Sequence, residues 1–192
     1  MPPMLTLDAL DTRLSVPTRQ LAAPGPDDAQ LLRMLQTATR VPDHGKRVPF
    51  RLLRIAGDTR LALADAAEAR LREREPDVGE AMVQKLRTRF TVPPLTLAVI
   101  ARLGFDEKIP ASERAATASC VCLLLLQAAH AEGFGAQWLT GWPAYDRPFL
   151  EGTLGLSSDE QLAGTIAIGS AQVVAPERDR PDAASLLADL AL

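Results

Sequence analysis

The chain has 192 residues, of which 47% are hydrophobic and 23% are charged, as in a folded globular protein and unlike a disordered one. This length predicts a single domain over residues 1–192. The 21 basic and 24 acidic residues leave a net charge of −3. That balance argues against a nucleic-acid-binding protein, because such proteins neutralise phosphates with an excess of Lys and Arg.

The N-terminus and the apolar runs bear on where the protein is found. Residues 1–8 lack the basic-then-apolar order of a signal peptide. The longest apolar run, Cys120–Leu126, is much shorter than the roughly 20 residues that cross a bilayer. We therefore expect a soluble, cytoplasmic protein without membrane association.

Helical and extended patterns alternate along the chain and predict an α+β fold, with a sheet covered by helices on both faces. The predicted helices cover Leu5–Leu14, Asp28–Thr39, Asp58–Phe90 with a break at Glu75–Asp77, Ser112–Glu132, Asp146–Gly152 and the segment from Ala183 to the C-terminus. The predicted strands are Phe50–Ala56, Leu95–Ala101, Ala136–Thr140 and Gln161–Ile168. We expect residues 57–92 to form a helical cover and residues 175–192 to form a tail.

The segment Arg40–Pro49 carries a histidine, three cations, an acid, a glycine and two prolines in ten residues. The prolines bias the residues before them away from helix, and Gly45 permits a positive φ, so the chain must turn sharply here. The turn presents Arg40, His44, Lys46 and Arg47 on a constrained loop. Such a loop is a usual place for binding residues, although a solvated surface turn explains it equally well.

A second candidate site lies where the first predicted helix ends, at Arg13-Leu14-Ser15. Arg13, Arg19 and the hydroxyls of Ser15 and Thr18 could together bind an anion through charge-assisted hydrogen bonds. Cations at the C-terminus of a helix, stabilised by its dipole, explain the same residues without a ligand.

The helix predicted from Ser112 to Glu132 is apolar nearly all round and rich in small residues. Such a helix belongs in the core or in a dimer interface. It carries both cysteines of the chain, Cys120 and Cys122, which we interpret as small core residues. With two histidines in the whole chain, a structural zinc site is not expected.

The order of these motifs resembles the FMN-dependent nitroreductase family, in its small single-domain bacterial NAD(P)H nitroreductase branch. The resemblance covers Leu7–Gly169 and is most specific in Arg40–Pro49 and Ala128–Thr140. Its elements are a helix ending in Arg-x-Ser, then Arg-x-Pro-x-His before a Pro-aromatic strand, a long helix ending in Ala-Glu-Gly-Phe-Gly, a strand with tryptophan and a strand reading Ile-Ala-Ile-Gly.

The resemblance implies a nitroreductase-like α+β fold with a central, mainly antiparallel sheet flanked by helices, in an intertwined homodimer. It implies that FMN binds at the subunit interface and that NAD(P)H is the electron donor. The implied cofactor-binding residues are Arg13, Leu14, Ser15, Arg40, His44, Ala128, Ala129, Gly133, Trp138, Leu139 and Thr140. Of these, Arg40 and His44 would reach the flavin from the partner subunit, and Ala128–Gly133 would contact the nicotinamide nucleotide.

The chemistry of the residues is compatible with a flavin. FMN carries a phosphate dianion and a flat apolar ring, and we expect Arg13, Arg19 and Arg40 to supply cations for the phosphate. For the ring, Trp138 and Phe50 could supply an apolar slot. No catalytic triad or carboxylate pair is found, as expected where the cofactor carries the chemistry.

Two positions depart from the branch, which favours arginine where this chain has Leu14 and Leu139. Their loss leaves open a non-catalytic alternative, a flavin-binding or flavin-less dimer that acts by sequestration or interaction. A third hypothesis, a metal-dependent hydrolase, would use Asp43, His44 and His130. The physiological acceptor cannot be read from the sequence, nor can the choice between NADH and NADPH.

Overall fold

A computed structural model describes residues 6–190 of the chain. Within this range lie six α-helices, namely α1 (Leu7–Asp11), α2 (Asp28–Ala38), α3 (Thr59–Arg74), α4 (Glu80–Thr91), α5 (Ala111–Ala131) and α6 (Arg147–Leu154). The same range holds five strands, which are β1 (Leu21–Ala22), β2 (Phe50–Ala56), β3 (Leu95–Arg102), β4 (Gly135–Leu139) and β5 (Glu160–Ala171).

The strands form one fully antiparallel sheet centred on β5. Strands β3 and β4 pair with opposite edges of β5, β2 pairs with β3, and β1 pairs with Ser170 and Ala171 at the end of β5. Strand β3 is buried from Leu95 to Ala101, which explains its unbroken apolar sequence. The α+β class and the antiparallel sheet predicted from the sequence are confirmed.

Helices cover both faces of the sheet, also as predicted. On one face α2 and α5 pack against β3 and β5, and the core contains Met34, Leu97, Val99, Leu125 and Ile166. On the other face α3, α4 and α6 enclose a second core, which contains Leu63, Leu71, Phe90, Ile100 and Phe149. Helix α5 therefore packs against the centre of the sheet.

Helix α5 is the one helix within residues 6–190 that is long and apolar enough to span a membrane by length and composition alone. Half of its most apolar stretch is buried inside the subunit. Cys122 is fully buried, and burial raises the pKa of its thiol to about 12. The prediction of two core cysteines is wrong for Cys120, which is exposed.

The ends of the chain also differ from the predictions. Helix α1 has five residues and ends before Leu14, while Leu5 lies outside the described residues. The amphipathic helix expected from Ala183 is instead a single 3₁₀ turn, Ala183–Leu186, followed by non-helical chain to residue 190. The helical spacing of Leu31, Leu32, Leu35 and Ala38 predicts the buried side of α2, but Leu32 is exposed and Met34 is buried in its place.

Candidate functional site

The segment after α1 lies alongside β4. The amide of Val16 donates to the carbonyl oxygen of Ala136 at 3.0 Å, and the amide of Thr18 donates to Oε1 of Gln137 at 2.9 Å. Leu14 and Leu139 pack against the same small cluster, which is centred on Leu21 and Ala167. The fold therefore brings Arg13–Ser15 next to Trp138–Thr140, two segments that are distant in sequence.

Arg13 is half-buried, and its Nη1 lies 3.4 Å from Oγ of Ser15. Most arginines in the described part of the chain form ion pairs, but neither Arg13 nor Arg40 has a carboxylate within 4.0 Å there. Two cations without a carboxylate partner among residues 6–190, at positions predicted to meet a phosphate, suit the dianionic end of FMN.

Arg13 opens onto a hollow of about 550 Å³ between α1, α5 and the tail. Asp11, Glu177 and Arg180 line the same hollow. Glu177 pairs with Arg180 at 2.6 Å, so the two tail charges offset each other. Of the two cations that line this hollow, Arg13 and Arg180, Arg13 is therefore the one whose charge is not offset by a paired carboxylate.

The aromatic residues do not provide the slot that the sequence predicted. Trp138 is half-buried, its Nε1 donates to the carbonyl oxygen of Ala163 at 3.2 Å, and its indole crosses Gly164 on β5. Phe50 is 7% exposed and belongs to the core. The backbone after β4 turns at Gly141, whose φ of 76° is a conformation that favours glycine.

The loop of residues 40–49 is constrained, as predicted. Both carboxylate oxygens of Asp43 accept backbone amides, from Arg47 at 3.1 Å and from Val48 at 2.7 Å. Lys46 and Val48 have positive φ values of 52° and 47°, which are unfavourable for a β-branched residue such as Val48. The side chain of Arg47 pairs with Asp106 and helps to hold the pKa of that carboxyl at about 2, together with two backbone amides.

His44 and Arg13 lie at opposite ends of α5. Nδ1 of His44 is 2.7 Å from Oε2 of Glu113 in the first turn, whereas Thr12 contacts His130 in the last turn at 3.2 Å. At about 1.5 Å of rise per residue, these two places are roughly 25 Å apart. A single site that uses both Arg13 and His44 therefore needs two subunits. The same separation prevents His44 and His130 of one subunit from sharing a metal site.

The segment predicted to contact a nicotinamide nucleotide ends α5. Ala129 is fully buried in the core, so its side chain cannot meet a ligand and that part of the prediction fails. Ala128 is 5% exposed and lines a hollow on the outer side of α5. Gly133 is exposed and ends the helix with a φ of 82°.

Sequence reasoning missed Arg89. A basic run such as Lys85, Arg87, Arg89 usually forms a solvated surface, and Arg87 does form ion pairs with Asp65 and Glu68. Arg89 points the other way, towards β4, and its Nη1 donates to the carbonyl oxygen of Thr140. The periodicity of α4 offered a signal, since Leu86 and Phe90 mark its buried side and Arg89 lies between them.

Comparison with known proteins identifies the family. The model of the nitroreductase family matches residues 10–170. The chain belongs to the nitroreductase family. The resemblance drawn from the motifs is thereby confirmed, and Arg13, the loop of residues 40–49 and β4 all lie inside the matched region.

A Haemophilus influenzae protein described as "Putative NAD(P)H nitroreductase" is 29% identical over 169 residues, covering 87% of this chain and 89% of that protein. The nitroreductase-like protein of Bacillus cereus has a similar fold, with a TM-score of 0.81 at 20% identity over 99% of this chain and 98% of its own. A Desulfovibrio desulfuricans nitroreductase, described as putative and crystallised with FMN, gives 0.72 at 22% identity, covering 97% and 96%.

Proposed function

We propose that this protein is a cytoplasmic, FMN-dependent oxidoreductase that uses NAD(P)H to reduce nitroaromatics, quinones or similar small acceptors. The family membership supports this reaction class. The observation that carries the proposal for this chain is the placement of Arg13–Ser15 beside Trp138–Thr140, with no carboxylate within 4.0 Å of Arg13 or Arg40 among residues 6–190.

In the proposed site, Arg13 and Ser15 bind the flavin phosphate, and the backbone from Leu139 to Gly141 lies along the ring. A homodimer supplies the rest, because His44 can join this site only from a second subunit, and we expect Arg40 of the same loop to come with it. FMN, when bound, accepts a hydride and passes electrons to the acceptor. The protein's part is to hold the ring with one face open, so no general base is required.

We also propose that the nucleotide approaches over the end of α5, past Ala128 and Gly133. The helical cover of residues 57–92 would then border the acceptor side, because α4 faces the chain after β4. In this arrangement the cover controls which acceptors enter, whereas the flavin contacts come from α1, β4 and the loop of residues 40–49.

Purified protein is expected to be yellow, or to become so with FMN, and its flavin bands should bleach when NADH or NADPH is added without oxygen. Reoxidation by a nitroaromatic or a quinone would complete the cycle. A protein that stays colourless in excess FMN contradicts the proposal. Bound flavin that does not bleach would instead identify the non-catalytic alternative.

A further inference from the structure

Arg89 is a half-buried cation that the proposed flavin site does not use. Besides its bond to Thr140, its Nη2 donates to Oγ1 of Thr165 at 3.2 Å. Its Nε is buried and has no hydrogen-bond partner. Both of its acceptors are neutral, and within residues 6–190 no carboxylate lies within 4.0 Å of its side chain.

Arg114, which is 8% exposed, also has a buried Nε without a partner and no carboxylate within 4.0 Å among residues 6–190, but its other nitrogens make more hydrogen bonds. Arg114 donates three hydrogen bonds, to the carbonyl oxygens of residues 102, 103 and 104, and closes a turn. Arg89 makes fewer bonds, and burial lowers its pKa to about 10 without a compensating negative charge. A guanidinium in this state gains most from an incoming anion, since the desolvation cost has already been met.

A pocket of about 360 Å³ opens beside this guanidinium, between α4 and the chain after β4. Its apolar walls include Leu71, Leu86, Leu139 and Trp142, and Lys85 adds a second cation. No aspartate or glutamate lines it. This volume suits a small molecule, and the combination of an apolar body with a cationic end suits an organic anion.

We propose that this pocket binds an aromatic carboxylate, with the carboxylate on Arg89 and the ring between Leu86, Leu139 and Trp142. Arg is suited to this role because its fork of N–H groups matches the two carboxylate oxygens. Leu139 and Gly141 line the pocket and belong to the segment proposed to lie along the flavin. Aromatic carboxylates that carry a reducible group would then be preferred acceptors, and this part of the inference rests on the proposed function.

Binding can be tested without the reaction. Flavin-saturated protein, with no NAD(P)H present, is titrated calorimetrically with benzoate and with benzamide, its neutral isostere. At least tenfold tighter binding of benzoate is expected. Equal affinities, or no benzoate binding at millimolar concentrations, would overturn the inference. Neither result depends on flavin reduction, which the bleaching experiment tests separately.

Variants of the pocket test whether the carboxylate of benzoate binds at Arg89. Arg89→Gln should abolish the preference for benzoate, whereas Arg87→Gln, the same charge change two residues away on α4, should retain it. Met82 lines the pocket and is 52% exposed, so Met82→Glu can place a competing carboxylate there without disturbing the core. This second variant should also weaken benzoate binding at least tenfold. Retention of the preference in both Arg89→Gln and Met82→Glu would contradict the assignment.

Discussion

At the scale of single residues, Arg13 is distinguished by the absence of an acid partner. A hydrogen bond from a charged donor contributes about 1.5–3 kcal/mol. Arg13→Gln should therefore weaken FMN binding at least about tenfold, measured by quenching of flavin fluorescence. Riboflavin, which lacks the phosphate, should bind the variant and the parent equally.

The control for this prediction is Arg54→Gln. Arg54 is exposed and pairs with Asp28 on the far edge of the sheet, so its loss should leave FMN affinity unchanged. An equal loss of riboflavin and FMN affinity in Arg13→Gln would assign Arg13 to the ring or to structure, and not to the phosphate.

Glu160 illustrates a residue whose charge stabilises the fold. Arg51 donates to both of its carboxylate oxygens, at 2.6 and 2.7 Å, and this pair is the main reason that the pKa of Glu160 falls to about 2. Because the folded-state pKa is depressed, the stabilisation is complete above the unfolded pKa of about 4.5. It is lost as the pH falls from there towards 2.

Glu160→Gln should therefore lower the free energy of unfolding at pH 7 by about 2–3 kcal/mol. Urea denaturation at several pH values should show a smaller loss of stability in the variant than in the parent as the pH falls from 5 to about 2. Glu151→Gln, which breaks the exposed pair with Arg147, is the control and should change little. A parallel pH dependence of parent and Glu160→Gln would contradict the role assigned to Arg51 and Glu160.

At this scale, the directions in which individual side chains point could not be predicted from the sequence. The composition of the loop of residues 40–49 predicted its constraint, because proline and glycine act locally. For Arg89, the spacing of Leu86 and Phe90 indicates which side of α4 is buried, but what the guanidinium contacts there depends on how α4 packs on the sheet. The exposure of Trp138 could not be predicted for a related reason. Its indole packs on the sheet because the neighbouring strand has a glycine, Gly164, at that position.

At the scale of elements, the pairing of β4 with β5 depends on that glycine. A Cβ added at Gly164 would lie 1.9 Å from Nε1 of Trp138. Gly164→Ala should displace the indole and lower the free energy of unfolding by about 2 kcal/mol or more. Tryptophan emission should shift to longer wavelength as the ring becomes more exposed.

Gly152→Ala provides the matched control, because Gly152 lies within α6 and a Cβ there meets nothing within 4 Å. Alanine is the better helix former, so this variant should gain about 0.5–1 kcal/mol. If Gly164→Ala were as stable as the parent with unchanged emission, the close packing of Trp138 on β5 would be wrong.

Long elements were predictable and short ones were not. The apolar runs of β2 and β3 and the Glu75–Asp77 break between α3 and α4 are written in the sequence, and the Asp27 cap with Gln30 fixes the start of α2. Strand β1 has two residues and exists only because β5 extends past β4 to receive it. The tail after Ala183 has helical periodicity but no surface of its own subunit on which to bury an apolar face.

At the scale of the whole molecule, α5 exposes apolar surface that a single subunit does not cover. Leu123 is 47% exposed on this helix. In the proposed homodimer it lies at the interface, so Leu123→Glu should shift the protein towards monomer in analytical ultracentrifugation. The same variant should lose bound FMN, because each site needs both subunits.

Leu61→Glu is the control, since Leu61 is 48% exposed but lies on α3, across the sheet from α5. It should remain dimeric and yellow. A dimeric Leu123→Glu protein with full flavin content would move the interface away from α5 and remove the argument that two chains build each site.

The length of α5 has a consequence for handling the enzyme. If one subunit supplies Arg13 and the other supplies His44, then cofactor affinity and subunit affinity are thermodynamically linked. Flavin should hold the pair together on dilution, and dilution should release flavin. Stock solutions from which only unbound FMN has been removed would then lose specific activity as they are diluted and recover it when FMN is added back.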